Sequence, residues 1–157
     1  MQNIGIFVDV QNIYYTCRDA YQGSFNYRKL WQNISQQGVI TNAIAYAIAP
    51  QNDSQIKFQD ALRHIGFAVK TKPFIQRQDG SAKGDWDVGI TIDIMEASAN
   101  LNKVILCSGD GDFSMLLAHI KAKHNCSTEV YGVPSLTAKA LIDHCDSFIK
   151  IDSSLLQ

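Results

Sequence analysis

Two aspartates, Asp110 and Asp112, sit in the stretch ILCSGDGDFSMLL (105–117), where one apolar run stops and a new apolar pattern begins. A third, Asp9, directly follows the apolar run IGIFV, and Asn12 lies three residues beyond it. Carboxylates gathered at one point repel one another and raise one another's pKa unless a cation lies between them. Oxygen donors without His or Cys suit a hard divalent ion, Mg²⁺ or Mn²⁺. Such an ion activates water and stabilises charge on a phosphoryl group, often as a pair roughly 4 Å apart. These residue types at these places point to metal-assisted chemistry on a phosphate ester. The plainer alternative is a capped turn, with Asp112 as a helix N-cap and Asp110 as a turn residue.

Whether the aspartates meet depends on the elements that carry them. Strands and helices alternate along the chain. Apolar, β-rich runs predict strands at 3–10, 41–49, 67–72, 103–108, 127–132 and 148–152. Helices are expected at 26–38, with Asn26 as N-cap and Gly38 past its end, and at 53–66, with Asp53 as N-cap and Gly66 as the stop. Further helices follow Asp9 and occupy 85–100, 112–124 and 135–145, while 73–84 reads as the longest loop. This alternation predicts a three-layer α/β/α fold around a mostly parallel sheet of five to six strands. It fits a single domain over 1–152 with a short C-terminal tail at 153–157. In such open sheets ligands bind beyond the carboxyl ends of the strands, where the strand order switches. Asp9 and the Ser108–Asp112 block both lie at carboxyl ends, so they converge if their strands are neighbours.

The helix from 85 adds Asp87, Asp93 and Glu96. As the crossover into the next parallel strand it runs antiparallel to the sheet, so its start lies near the carboxyl edge. Asp93 is about 9 Å further along the axis, which favours Asp87.

Other chemistries lack their residues. His64, His119, His124 and His144 have no ligand spacing. Neither a phosphate-binding glycine loop nor a dinucleotide fingerprint opens a helix. A calcium-binding EF-hand loop starting at Asp110 would need Glu where Lys121 stands. A phosphatase using a D-x-D nucleophile would need Asp where Gln11 stands. The net charge of −1 excludes recognition by bulk positive charge, so nucleic-acid binding needs a local patch. No apolar run approaches the roughly 20 residues that span a bilayer, and "MQNIGIFVDV" has no features of a signal peptide. Four scattered cysteines fit reduced thiols and a cytoplasmic location.

Taken together, FVDVQNIYY (7–15), KGDWDVGITIDIM (83–95), SGDGDFSMLL (108–117) and ALIDHCDSFIKID (140–152) resemble the NYN domain family of PIN-like nucleases, in particular the bacterial LabA-type proteins. The likeness runs in order over nearly the whole chain. It implies a parallel-sheet fold with an acidic pocket at the carboxyl edge and Mg²⁺- or Mn²⁺-dependent ribonuclease activity. By motif it implies Asp9, Asn12, Asp87, Asp110 and Asp112 as catalytic residues, with the four aspartates as metal ligands. Asp93 and Ser108 stand in second rank.

The expected reaction is in-line attack of water on phosphorus, leaving 5′-phosphate and 3′-hydroxyl ends. Asn12 would orient a water or a phosphate oxygen. The segment carrying Lys70, Lys72, Arg77 and Lys83 would draw in single-stranded RNA, with Lys83 on the phosphate. Tyr14, Tyr15 and Trp86 would stack unpaired bases. Two other functions fit the same fold: a non-catalytic RNA- or protein-binding regulator, and a metal-dependent phosphatase. A homodimer is a further expectation, though no residue demands one.

Overall fold

The run NIGIFVD forms β1 (Asn3–Asp9), and its five central residues are buried on both faces because it lies in the middle of the sheet. The computed structural model describes residues 1–73, 75–76, 82–83 and 85–157; at 75–76 and 82–83 it describes the backbone. After β1 come α1 (Val10–Tyr21), α2 (Tyr27–Ser35), β2 (Val39–Ile48), α3 (Asp53–Ile65) and β3 (Ala68–Lys72). Next are two short strands, β4 (Ile75–Gln76) and β5 (Ala82–Lys83), then α4 (Asp87–Ser98) and β6 (Lys103–Cys107). The chain continues with α5 (Ser114–His124), β7 (Ser127–Gly132), α6 (Lys139–His144) and β8 (Ser147–Lys150).

Six parallel strands pair in the order β3-β2-β1-β6-β7-β8. The chain steps outward from β1 to β3, then returns past β1 to start again at β6. The switch point therefore lies between β1 and β6. Side chains alternate along each strand, so the two faces hold separate cores. Ile4, Ile6 and Val8 of β1 join Ile13, Leu30 and Leu62 on one face. Phe7 joins Ile90, Ile94, Leu116 and Leu141 on the other. Helices α1–α3 thus cover one face and α4–α6 the other, which gives the three layers.

Several local expectations change. The 73–84 stretch holds a small antiparallel pair, Ile75 with Lys83 and Gln76 with Ala82; strands of two residues are too short for a periodic signal. The cap of α3 is Asn52, whose side chain accepts the Gln55 amide at 2.9 Å, rather than Asp53. The expected helix at 112–124 begins with a 3-10 turn, Gly111–Phe113. That at 135–145 is split into a 3-10 turn, Pro134–Leu136, and α6. Residues 153–157, set apart in sequence as a tail, pack against the body: Leu155 is buried and the Gln157 amide donates to Ser24. Among the described residues no helix is long and apolar enough to cross a membrane.

Candidate metal centre

Strand register builds the first half of the site. Val8 of β1 pairs with Cys107 of β6, so Asp9 and Ser108 leave the sheet side by side. The fully buried Ser108 hydroxyl donates to Asp9 Oδ2 at 3.1 Å, and its oxygen accepts the Asp110 amide at 3.1 Å. One hydroxyl thereby links the ends of both strands. Asn12 adds a second link: its Oδ1 accepts the Gly109 amide at 2.8 Å. The side chain expected to orient a water or a phosphate oxygen thus also holds the loop, through its oxygen. Only the amide NH₂ of Asn12 is left for such a contact. Gly109 suits this turn because a Cβ there would lie 2.6 Å from the backbone oxygen of Leu136.

Asn12→Ala should leave the buried Gly109 amide without its partner. The expected cost is about 1–3 kcal/mol of stability, read by urea unfolding. An unchanged unfolding midpoint would show that the link carries no load.

The second half comes from α4 and the turn before α5. Asp110 caps that turn, its Oδ1 accepting the Asp112 amide at 2.9 Å. The capping role read from sequence is therefore real and falls to Asp110, not Asp112. The same carboxylate also faces Asp87 at the start of α4. Carboxylate oxygens of Asp87, Asp110 and Asp112 lie within 4.8 Å of one another. Asp85 Oδ1 accepts the Asp87 amide at 2.7 Å and so holds the first turn of α4 in place. Asp87 and Asp110 are half-buried; Asp112 is exposed.

The expected quartet is thus a trio with Asp9 beside it. Burial pushes the Asp9 carboxyl up to about 6 despite its bond from Ser108, and Asp110 and Asp85 add repulsion. The Asn12 amide also helps hold Asp9 down, although it lies outside capping geometry for that side chain. Desolvation, together with contacts to Asp85 and Asp110, pushes Asp87 up to about 8. Among the described residues, no ion pair reaches Asp9, Asp87, Asp110 or Asp112. The cluster is therefore a crowd of carboxyl groups with no cationic side-chain partner among the described residues, built wholly from hard oxygen donors. That donor set fits Mg²⁺ or Mn²⁺.

Other candidates lie elsewhere. Asp93 turns away from the trio: its Oδ2 accepts the Tyr46 hydroxyl at 2.8 Å and Lys70 Nζ at 2.7 Å. Nearly two helical turns separate it from Asp87, as the rise along α4 requires. Burial and Asp93 push the Tyr46 hydroxyl well up, which keeps it a proton donor. Lys70, expected to attract RNA, is consumed by this ion pair. Lys72 donates to the Asp85 carbonyl at 2.8 Å and lies 4.4 Å from the Trp86 ring centre, so it too serves the start of α4. Trp86 is itself fixed by donation to the Ala47 carbonyl at 2.8 Å. Arg77 and the side chain of Lys83 fall outside the described residues. Tyr14 is 53% exposed on α1.

Asp85 was not among the residues singled out from sequence. Its signal was the D-x-D spacing with Asp87 on the entry to a helix. Arg18, whose guanidinium spans Tyr14 and Tyr15 at 5.4 and 5.1 Å from the ring centres, was also missed.

A family model described as NYN domain matches residues 3–152. The Low amplitude and bright protein LabA of Synechococcus elongatus is 26% identical over 157 residues, spanning 95% of this chain and 83% of that protein. The crystal structure of a protein of unknown function from Vibrio parahaemolyticus is 51% identical, with a TM-score of 0.94. It spans 99% of this chain and 96% of that one.

Proposed function

We propose that this chain, which belongs to the NYN domain family, is a Mg²⁺- or Mn²⁺-dependent ribonuclease acting on single-stranded RNA. The observation that carries the reading is the meeting of Asp87, Asp110 and Asp112 within 4.8 Å at the switch point of the sheet. Those three carboxylates would hold the cation, and its chemistry when bound is to polarise a phosphoryl oxygen and acidify water. Asp9 suits proton transfer from the attacking water. Its carboxyl, pushed up to about 6, lies close enough to neutrality to accept a proton and give it up again. Ser108 orients that carboxyl through Oδ2, leaving Oδ1 for the transfer. The Asn12 link keeps the Gly109–Asp110 turn in register with β1.

A metal-dependent phosphatase is the second reading, favoured by one observation: the Lys70 ion pair with Asp93 thins the basic patch a polyanion would use. Both readings are tested by incubating the wild type and Asp110→Asn with labelled single-stranded RNA and with a small phosphate monoester. Each substrate is tried in Mn²⁺, in Mg²⁺ and in chelator. Metal-dependent RNA products with 5′-phosphates, lost in the variant, are expected. Turnover of the monoester alone would select the phosphatase, and RNA binding without any product would select a regulator.

A further inference from the structure

An open groove of about 630 Å³ runs between α1 and the start of α3. It lies on the opposite face of the sheet from α4 and begins at Val10 and Gln11, directly after Asp9. Its size falls within the roughly 300–1,000 Å³ of pockets that enclose small ligands. Among the described residues that line this groove there is no Asp or Glu, and Arg18 is the one charged side chain. A groove beside an acidic centre whose described side chains offer a guanidinium and no Asp or Glu is suited to a ligand bearing phosphate.

Its surface chemistry is that of unpaired nucleotides. Tyr14 and Tyr15, 53% and 45% exposed, stand edge to face with ring centres 5.2 Å apart. The Arg18 guanidinium lies against both rings, which confines a long side chain; its Nε lies 4.0 Å from Asp19 Oδ1, and the terminal NH₂ groups are the ones that would meet a phosphate. On the opposite wall, amide side chains are fixed by local bonds. Asn52 Oδ1 accepts the Gln55 amide at 2.9 Å, and Gln55 Oε1 accepts the Gln51 amide at 2.7 Å. With both carbonyls engaged, Asn52 and Gln55 present NH₂ donors, which suit the acceptor atoms on base edges.

We infer that this groove takes the unpaired ribonucleotides next to the scissile bond, with a base stacked on the exposed ring of Tyr14 and a phosphate at Arg18. The inference rests on the ribonuclease reading and gives its substrate a path along α1, away from the engaged lysines of β3.

The test measures binding of a fluorescein-labelled 12-nucleotide oligouridylate by anisotropy, in chelator and low salt so that nothing is cut. Full-length wild type, Tyr14→Ala, Arg18→Gln and Asp110→Asn are compared, with circular dichroism of each and with cleavage in Mn²⁺ measured in parallel. Tyr14→Ala should weaken binding about ten- to a hundredfold, since each stacked base contributes roughly 1–3 kcal/mol. Arg18→Gln should weaken it and flatten its salt dependence, while Asp110→Asn should bind at least as well as wild type. Wild-type affinity in both groove variants would overturn the inference and assign the groove to a protein segment or to nothing, even if the enzyme still cuts RNA. Absence of RNA binding by wild type would overturn it too. Binding that is lost in Tyr14→Ala, by a wild type that never cuts, would keep the groove and sink the nuclease.

Discussion

If the chain is the ribonuclease proposed above, Asp87→Asn should lower metal-dependent RNA cleavage at least about a hundredfold, while Asp93→Asn should leave it within a few-fold of wild type. The two residues lie on one helix, six positions apart, and each is an aspartate followed by an apolar residue. Their surroundings separate them. Asp87 shares the 4.8 Å cluster with Asp110 and Asp112. Asp93 is neutralised by Lys70 and hydrogen-bonded by Tyr46. Groups that merely support metal ligands cost about 10–100-fold when removed, so loss of a direct ligand should cost at least the upper end of that range. Steady-state cleavage of one labelled RNA by both variants at saturating Mn²⁺ makes the comparison. A large loss in Asp93→Asn with an active Asp87→Asn would move the centre of the site along α4.

The metal-free protein should lose stability as pH rises from about 4 to about 8, against the habit of paired carboxylates. An unfolded aspartate ionises near 3.8, whereas folded Asp9 does so at about 6 and folded Asp87 at about 8. Over that window the folded state binds more protons than the unfolded state, so the slope of stability with pH is negative. Both contributions are complete below pH 4. Asp9's is lost as pH passes about 6, and Asp87's as it passes about 8. For the largely buried Asp9, the rise from 3.8 to about 6 corresponds to roughly 3 kcal/mol. Asp87 is more exposed and solvent screening reduces its share. Asp9→Asn should therefore raise the metal-free Tm at pH 8 by several degrees, at about 2–4 °C per kcal/mol for a chain of this size. Mn²⁺ at pH 8 should raise the Tm of wild type and not of Asp110→Asn. A metal-free Tm that climbs between pH 5 and 8 in wild type would contradict the charge crowding described here.

The layers were legible because buried parallel strands are continuous apolar runs, and IGIFV and KVILC are such runs; the strand order, and with it the switch point, came from the structure. Placing Asp9 and Asp110 together needed only that those two runs be neighbours. Helix direction and rise favoured Asp87 over Asp93, and the resemblance, not the geometry alone, brought Asp87 into the expected set. What sequence hid depends on contacts between distant elements. Ser108 stands only in second rank, with no partner in view, until register sets it against Asp9. Asn12 reads as a ligand-facing residue until the Gly109 amide is found 2.8 Å away. Lys70 and Lys72 read as a basic patch because pairing partners 23 and 13 residues distant leave no local mark. The groove was only half visible: Tyr14 and Tyr15 stand out in the chain, but the amides facing them come from α3.

The most direct measurement is a calorimetric titration of Mn²⁺ into the metal-free protein at pH 7, repeated in buffers of different ionisation enthalpy. With Asp87 held up to about 8, its carboxyl is mostly protonated at that pH and must lose the proton to become a ligand. Saturable binding is expected, with release of nearly one proton per protein, and Asp110→Asn should abolish both. Absence of binding, or binding that Asp110→Asn leaves intact, would return Asp110 and Asp112 to a capped turn and remove the metal centre from this fold.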